Sequence, residues 1–523
     1  MTHPPSDAVP PGHDPASTQG KSLAVHGHVG LLVVGAGPAG IAAALEGARQ
    51  GGTVMLVDEN PVPAETMGDD IPHLFGGAMS GAARNRTAMT EALLAARPGL
   101  VEAFEAGIDV RLGTVCWGIY ANGPSVGWLP GPVAGLSDGD RAWMLGFDRA
   151  VIATGARDMG VAFPGWDLPG VSGVLAAASL AAVGAYAPRR AVLLGSDAHA
   201  VAGARHLAAQ GVEIAAVVEV AATCPPEAST LGAAVLCSHT VLRAEGGLDG
   251  VSALVVSGPG GERTLDCDAV LLGIGAVPVI ELLDAVGCRT EFDPARGGWV
   301  PVLDATGRTS LPFLSAAGDC AGTWPAKALD PALATTEGRR AVGTSDAAIP
   351  PPDGPPGLAE YRMAWVEALT LGTEDAYVCR CEEVTAREIL EVRPPRYLGA
   401  STWPRNDTSL RALLGEGPPN PDLVKRLTRA GMGVCQGRRC REQVACLLAL
   451  GSGEPLHTVP PATHRAPVRP LPLRLAHTVE EPEAMRQHWD TWFGMYSQYV
   501  PFWDVTPNYT AAGRPLDRES ASE

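Results

Sequence analysis

The sequence predicts an α/β protein: two Rossmann-like βαβ domains followed by a small, mainly helical cysteine module. Three observations predict it. Residues 29–58 read strand, glycine turn, helix, strand, and residues 190–220 repeat that pattern. Four cysteines then fall in two close pairs, Cys379 with Cys381 and Cys435 with Cys440.

The bulk properties allow such an assembly. A chain of 523 residues fits about three or four ordinary domains. Hydrophobic residues make up 46% and charged residues 18%, so large cores are expected and global disorder is excluded. Lysine and arginine number 39 against 57 acids, a net charge of −18, which excludes a general nucleic-acid binder. Lysine occurs only at Lys21, Lys327 and Lys425, which reads as genome composition. The opening MTHPPSDAVPPGHDPASTQG lacks the basic and apolar regions of a signal peptide, and no apolar run is long enough to span a bilayer. A cytoplasmic address is therefore expected. Thiols stay reduced there, and a tight cysteine cluster points to metal or redox chemistry, not to structural disulfides.

In order, the expected segments are a disordered leader (1–28), a first nucleotide domain (29–160 and 296–345), a second (161–295), a Pro-rich linker (346–373) around IPPPDGPPG, the cysteine module (374–452), and a Pro-rich, aromatic extension (453–523).

LLVVGAGPAGIAAALEGARQGGTVMLVDE carries the first glycine turn. Gly35 makes the tight turn, Gly37 lets a pyrophosphate approach the backbone, and Gly40 lets the helix lie close to the strand. Pro38 and Ala39 open the helix, whose free N–H groups and dipole favour phosphate. Asp58, ending the second strand, is placed for a ribose hydroxyl pair, with Glu59 as the alternative.

Two later stretches bear on the nucleotide. VIATGAR supplies Ala153, Thr154 and Gly155, and RTSLPFLSAAGDCAG supplies Gly318 and Asp319. With the first turn they resemble the two-dinucleotide-domain, glutathione-reductase-like flavoproteins over roughly residues 29–345. The resemblance implies an FAD site lined by these residues, with Asp319 bonded to a ribityl or pyrophosphate-proximal oxygen. One departure stands out. The family carries a double glycine soon after the ribose acid, and here the stretch reads NPVPAETMGDDIPHLFGG. FAD and another adenine nucleotide both remain open for this site.

The second turn, GSDAHA, keeps Gly195 but places Asp197 at the second glycine position and Ala200 at the third. A carboxylate there blocks the approach of a pyrophosphate and repels it. This domain is expected to keep the Rossmann shape without binding NAD(P)H. The opposing reading, a shifted but active site, takes Glu219 as its ribose acid.

Four soft thiolates on two glycine-bearing loops suit a 2Fe–2S cluster. Gly433 and Gly437 let backbone N–H groups near the sulfurs, and Arg380, Arg438, Arg439 and Arg441 can offset its charge. Thr385 and Glu388 form a capping-box pattern, and REQVACLLAL after Cys440 is helical, so two helix N-termini would face the anionic cluster. Tetrahedral zinc is the main rival. A redox disulfide is the other, although the reductase class carries that pair just after the ribose acid, where this sequence has no cysteine.

CRCEEVT, TRAGMGVCQGRRC, FPGWDLPGV and the closing VRPLPL together resemble the alpha (A) subunits of opine oxidases, hydrogen cyanide synthase and dye-linked amino-acid dehydrogenases, which carry a BFD-like 2Fe–2S module. The resemblance spans about residues 29–476. It implies FAD, a cluster on Cys379, Cys381, Cys435 and Cys440, and an FMN between subunits. It also implies a catalytic beta flavoprotein partner, a small gamma subunit, and a quinone or electron carrier as acceptor. Substrate oxidation at a C–N bond would occur on the beta subunit, and no catalytic residue is assigned to this chain. The stretch RNDTSLRALLGEGPPNPD reads as a surface insertion. Aromatics between Trp489 and Tyr509 follow helical spacing and suit a helix folded back on its domain, a partner interface or peripheral membrane contact. Two rival functions remain: a self-contained NAD(P)H-dependent reductase, and a non-catalytic scaffold holding an adenine nucleotide and zinc.

Overall fold

The computed structural model describes residues 25–61, 78–123, 129–343, 357–370, 373–393 and 419–477, with isolated positions between 349 and 417. The aromatic segment, most of the surface insertion and most of the stretch after Asn60 lie outside the described residues.

The apolar run ending at Val34 is buried on both faces, as a central parallel strand requires. Strand Val25–Val34 pairs in parallel with Val54–Asp58 on one side and Ala142–Ile152 on the other. Asp109–Leu112 and Leu314–Ala316 extend the sheet in parallel at either side. Val133–Ser137 and Val115–Tyr120 add an antiparallel meander. The first strand begins inside the span expected for the leader, since Val25 and His28 already pair with Met144 and Gly146.

The second domain is a five-stranded parallel sheet in the order Ala234–Leu236, Glu213–Val218, Arg190–Leu194, Ala269–Leu272, Val171–Gly173. Alternation assigns its faces: Ala191 and Leu193 bury beneath helices Val174–Ala182 and Ala198–Ala209, while Val192 and Leu194 bury against the meander carrying Val241, Leu254 and Val256. The domain ends sooner than residue 295. Leu282, Leu283 and Cys288 bury beside Cys116 and Ile119 in the first domain's core.

The linker likewise ends early. Past Gly357 the sequence LAEYRMAWVEALT has no breaker, and Leu358–Thr370 is a helix. Its Trp365, Val366 and Leu369 share one core with Val444 and Leu447 of helix Arg441–Ser452 and with the second domain. The cysteine module is therefore rooted on that domain. Trp166 Nε1 donates to Tyr377 O at 2.8 Å, and Ala162 N donates to Gln443 Oε1 at 3.2 Å. The Pro-rich run then straps back to the first domain, where Val468 is buried and its N–H donates to Trp117 O at 2.8 Å.

A disulfide joins Cys224 to Cys237, against the expectation of reduced thiols outside the cluster. The parallel neighbours Glu213–Val218 and Ala234–Leu236 bring these loops together, with Ser238 N donating to Ala221 O. No described helix is long and apolar enough to cross a membrane.

Candidate functional site

Loops leave the carboxyl ends of Val25–Val34, Ala142–Ile152 and Leu314–Ala316 side by side, where open parallel sheets bind ligands. The three glycines divide the work as the motif requires. Gly35 has φ +105°, and a Cβ on it would lie 2.2 Å from Ala153 O. A Cβ on Gly40 would lie 1.7 Å from Gly35 O. A Cβ on Gly37 would meet nothing within 4 Å, and Gly37 caps helix Pro38–Arg49 with no side-chain bond. The first and third glycines thus serve close packing, and the second leaves the helix N-terminus open to a ligand. Ala39 lies against helix Pro331–Val342, where a Cβ on Gly338 would come within 2.0 Å of Ala39 O.

Asp58 does more than the motif states. It is 8% exposed; its Oδ2 accepts from Ala36 N at 2.5 Å, and its Oδ1 accepts from Asn60 N at 2.7 Å. It braces the glycine turn, leaving only its remaining lone pairs for a ribose. Glu59, the alternative, is paired with Arg469 of the Pro-rich strap. Arg97 completes the brace, donating to Ala36 O at 3.1 Å.

Ala153 N donates to Val34 O at 2.7 Å, which holds the second loop against the first. Thr154 Oγ1 donates to Val279 O at 2.7 Å, and Gly155 O accepts from Val279 N at 3.0 Å. In the third loop Gly318 N donates to Glu337 Oε2 at 2.7 Å, and Gly318 O accepts from Lys327 Nζ at 2.9 Å. Lys327 also pairs with Glu337 at 3.0 Å and lies over the Trp324 ring. Burial pushes the Glu337 carboxyl up, against the pull of Lys327. Asp319 is half-buried, and its carboxylate makes no hydrogen bond among the described residues, so it is free for a ligand. Sequence reasoning missed Arg97, Lys327 and Glu337, since none sits in a motif. The rarity of lysine was the one available signal for Lys327.

The second turn is built alike and closed. Gly195 has φ +92°, and a Cβ on it would lie 2.1 Å from Gly273 O. Asp197 caps helix Ala198–Ala209 itself, its Oδ1 accepting from Ala200 N at 2.6 Å. The N–H group a phosphate would use is taken. Glu219, the candidate ribose acid, is 1% exposed, and its Oε2 accepts from Ser196 Oγ at 2.7 Å and Tyr361 Oη at 2.9 Å. Tyr361 comes from the helix that roots the cysteine module.

The four predicted cysteines come together. Cys379 and Cys381 sulfurs lie 3.9 Å apart, Cys381 and Cys435 3.5 Å, and Cys440 interacts with Cys379. Among the described residues no group of three or more His, Cys, Asp or Glu is placed so as to hold a metal ion. Gly431 N donates to Cys379 Sγ at 3.3 Å, and a Cβ on Gly433 would lie 2.5 Å from Cys381 Sγ. The capping box of Thr385 and Glu388 forms as expected. The neighbouring Cys381 thiol and burial both push the Cys435 thiol up. Of the four arginines, Arg441 is bound to Gln436 O and His464, Arg438 to Val468 O, and Arg380 to Asp167 O over the Trp166 ring.

Arg157, two residues beyond Gly155, joins the two sites. It donates to Glu281 at 2.6 Å, to Glu442 at 2.7 Å, and to the carbonyl of Arg438, between Cys435 and Cys440, at 3.0 Å.

An open first cradle on a parallel sheet, beside a second Rossmann-like domain, defines a FAD-dependent oxidoreductase of the two-dinucleotide-domain class. The chain belongs to the pyridine nucleotide-disulphide oxidoreductase family, which residues 30–338 match. It is 29% identical over 502 residues to the A subunit of opine oxidase from Agrobacterium tumefaciens (strain Ach5), covering 87% of this chain and 93% of that protein. It is 25% identical over 492 residues to the HcnB subunit of hydrogen cyanide synthase from Pseudomonas aeruginosa, covering 84% and 97%. The crystal structure of L-proline dehydrogenase from P. horikoshii shares the fold, with TM-score 0.55 and 21% identity over 87% of this chain and 80% of that one. The resemblance to opine oxidase A subunits holds over nearly the whole of both chains.

Proposed function

We propose that this chain is the flavin and iron–sulfur electron-transfer subunit of a multi-subunit dehydrogenase or oxidase. The complex would break a C–N bond of an amino acid, opine or related amine, with the substrate oxidised on a partner beta flavoprotein subunit. The observation that carries the reading is the gathering of Cys379, Cys381, Cys435 and Cys440 beside an open nucleotide cradle, with Arg157 bridging the two.

The residues present fit both groups. Gly35, Gly37, the helix start at Pro38 and Ala39, Asp58, Gly155 and the free carboxylate of Asp319 would hold FAD. The four thiols would hold the cluster: two thiolates on one iron sit roughly 3.8 Å apart, close to the 3.9 Å between Cys379 and Cys381 and the 3.5 Å between Cys381 and Cys435. Bound there, FAD takes up an electron pair and a 2Fe–2S cluster carries electrons singly. Arg157 fixes the cysteine loop relative to the Ala153–Gly155 turn. Gly431 directs a backbone N–H at Cys379, and helix Arg441–Ser452 starts at Cys440, so both oppose the cluster's negative charge. The relatives are themselves parts of larger enzymes, one the A subunit of opine oxidase and the other HcnB of hydrogen cyanide synthase, which supports a hetero-oligomer. Asp197 and the Glu219–Tyr361 contact speak against a self-contained NAD(P)H reductase.

The test is an anaerobic visible spectrum of the purified chain before and after NADH and NADPH. Flavin and iron–sulfur bands that neither nucleotide bleaches are expected. Rapid bleaching by either would overturn the reading of the second domain, and a colourless, iron-free protein would favour the scaffold.

A further inference from the structure

A cleft separates the cysteine module from the Pro-rich strap. Its volume is about 260 Å³, and its lining includes Lys425, Arg438, Arg441 and Arg465, with Glu281 and His464. That concentration of cations is unusual in a chain of net charge −18 with three lysines. We propose that this cleft binds a small dianionic oxyanion, a phosphate or a short dicarboxylate. The proposal is independent of the function proposed above and involves neither nucleotide cradle.

The charges do not cancel within the cleft. Glu281 is the carboxylate among the lining residues, and its charge is met by Arg157 at 2.6 Å and Arg441 at 3.8 Å. His464 Nε2 accepts from Arg441 and its Nδ1 faces Asp284 at 2.6 Å, so Asp284 is turned away from the opening. At the rim Asp422 is occupied by Thr463, whose N–H and hydroxyl both donate to it. The side chains of Lys425 and Arg465 have no hydrogen-bond or ion-pair partner among the described residues.

A second observation points to a ligand. Arg441, with 9% of its side chain exposed, has an Nε with no hydrogen-bond partner although its two Nη atoms are engaged. A buried donor left unmet is costly, and this one belongs to a residue that lines the cleft. An oxyanion offers only acceptor oxygens, several at once, matched to guanidinium and ammonium donors. The volume suits an ion of a few heavy atoms. It lies below the roughly 300–1,000 Å³ of pockets that hold larger organic ligands.

Isothermal titration calorimetry on the full chain tests this, with inorganic phosphate and succinate titrated separately at an ionic strength held constant with chloride. One-site binding of at least one of them is expected. The preferred probe names the source, a phosphoryl group or a dicarboxylate. The double variant Lys425→Ala/Arg465→Ala should bind it about 100-fold more weakly, each lost charge-assisted contact counting for about tenfold. Neither residue holds another part of the chain, so the urea midpoint of the variant should match the parent. The proposal is overturned if neither probe binds beyond the chloride control, or if the double variant binds as the parent does.

Discussion

Replacing Arg157 with alanine tests how the cysteine module is held to the first cradle. Arg157 touches Glu281 at 2.6 Å and Glu442 at 2.7 Å, and its side chain is 18% exposed. Burial alone would raise the Glu281 carboxyl. Arg157 and then Arg441 outweigh it and hold the group at about 2, below its ordinary 4.5. A net fall of that size corresponds to about 3 kcal/mol at neutral pH, with Arg157 the largest favourable share and Arg441 and His464 the rest. Direct accounting agrees: stranding one partner of a buried ion pair costs about 3–5 kcal/mol, and the residual exposure of Arg157 and Glu442 favours the lower end. The variant should therefore lose about 3 kcal/mol in urea unfolding followed by tryptophan fluorescence at pH 7. The sign with pH follows from the depressed carboxyl. Its contribution is complete above about 4.5 and disappears as pH falls through about 2, so the gap between parent and variant should close on acidification. Arg157→Lys keeps the charge but not the fork, and should fall between. A variant within about 0.5 kcal/mol of the parent at pH 7, or a gap that widens in acid, would refute the reasoning.

Gly37→Ala places a Cβ in open space, so it should unfold like the parent yet retain little flavin, read as the ratio of visible to ultraviolet absorbance; retained flavin would mean that no phosphate approaches there. Cys381→Ser, at the middle of the sulfur chain, should lower iron per chain to near zero while flavin stays, by metal analysis and absorbance; unchanged iron would exclude these thiols as ligands. Tyr361→Phe should cost about 1–2 kcal/mol in urea unfolding, the loss of a buried bond to the Glu219 carboxylate, and NADH should still bleach nothing.

The glycine turns were legible because their reason is local: Gly35 needs a positive φ, and a Cβ at position 40 strikes the carbonyl of Gly35. The cysteine pairs and the capping box were legible for the same reason, as spacing along one loop. Side-chain traffic between distant segments was not. Nothing at Tyr361 announces a hydroxyl directed at Glu219, and nothing at Arg157 announces two acids from residues 281 and 442. The boundaries slipped where composition misled. Residues 281–295 read as part of the second domain by continuity, yet Leu282 and Leu283 bury in the first. Residues 358–370 follow a Pro–Gly run and read as linker, although from Leu358 the chain is free to wind into a helix. The Cys224–Cys237 bridge was invisible because it depends on which strand neighbours which.

The two Rossmann-like domains share one turn and differ in what meets the helix end. Both keep the first glycine, whose positive φ and contact with the neighbouring strand's loop belong to the backbone turn itself. They part at the second position. Gly37 leaves a helix end unsatisfied, which a phosphate can meet. Asp197 takes one N–H of the equivalent end, that of Ala200, so a phosphate there would find one donor fewer and meet a negative charge. The same helix that roots the cysteine module brings Tyr361 to Glu219. Tyr361 thus sits between the second cradle and the helix whose Trp365, Val366 and Leu369 pack against the cysteine module. On the proposed function the electrons reach the first cradle from a partner subunit.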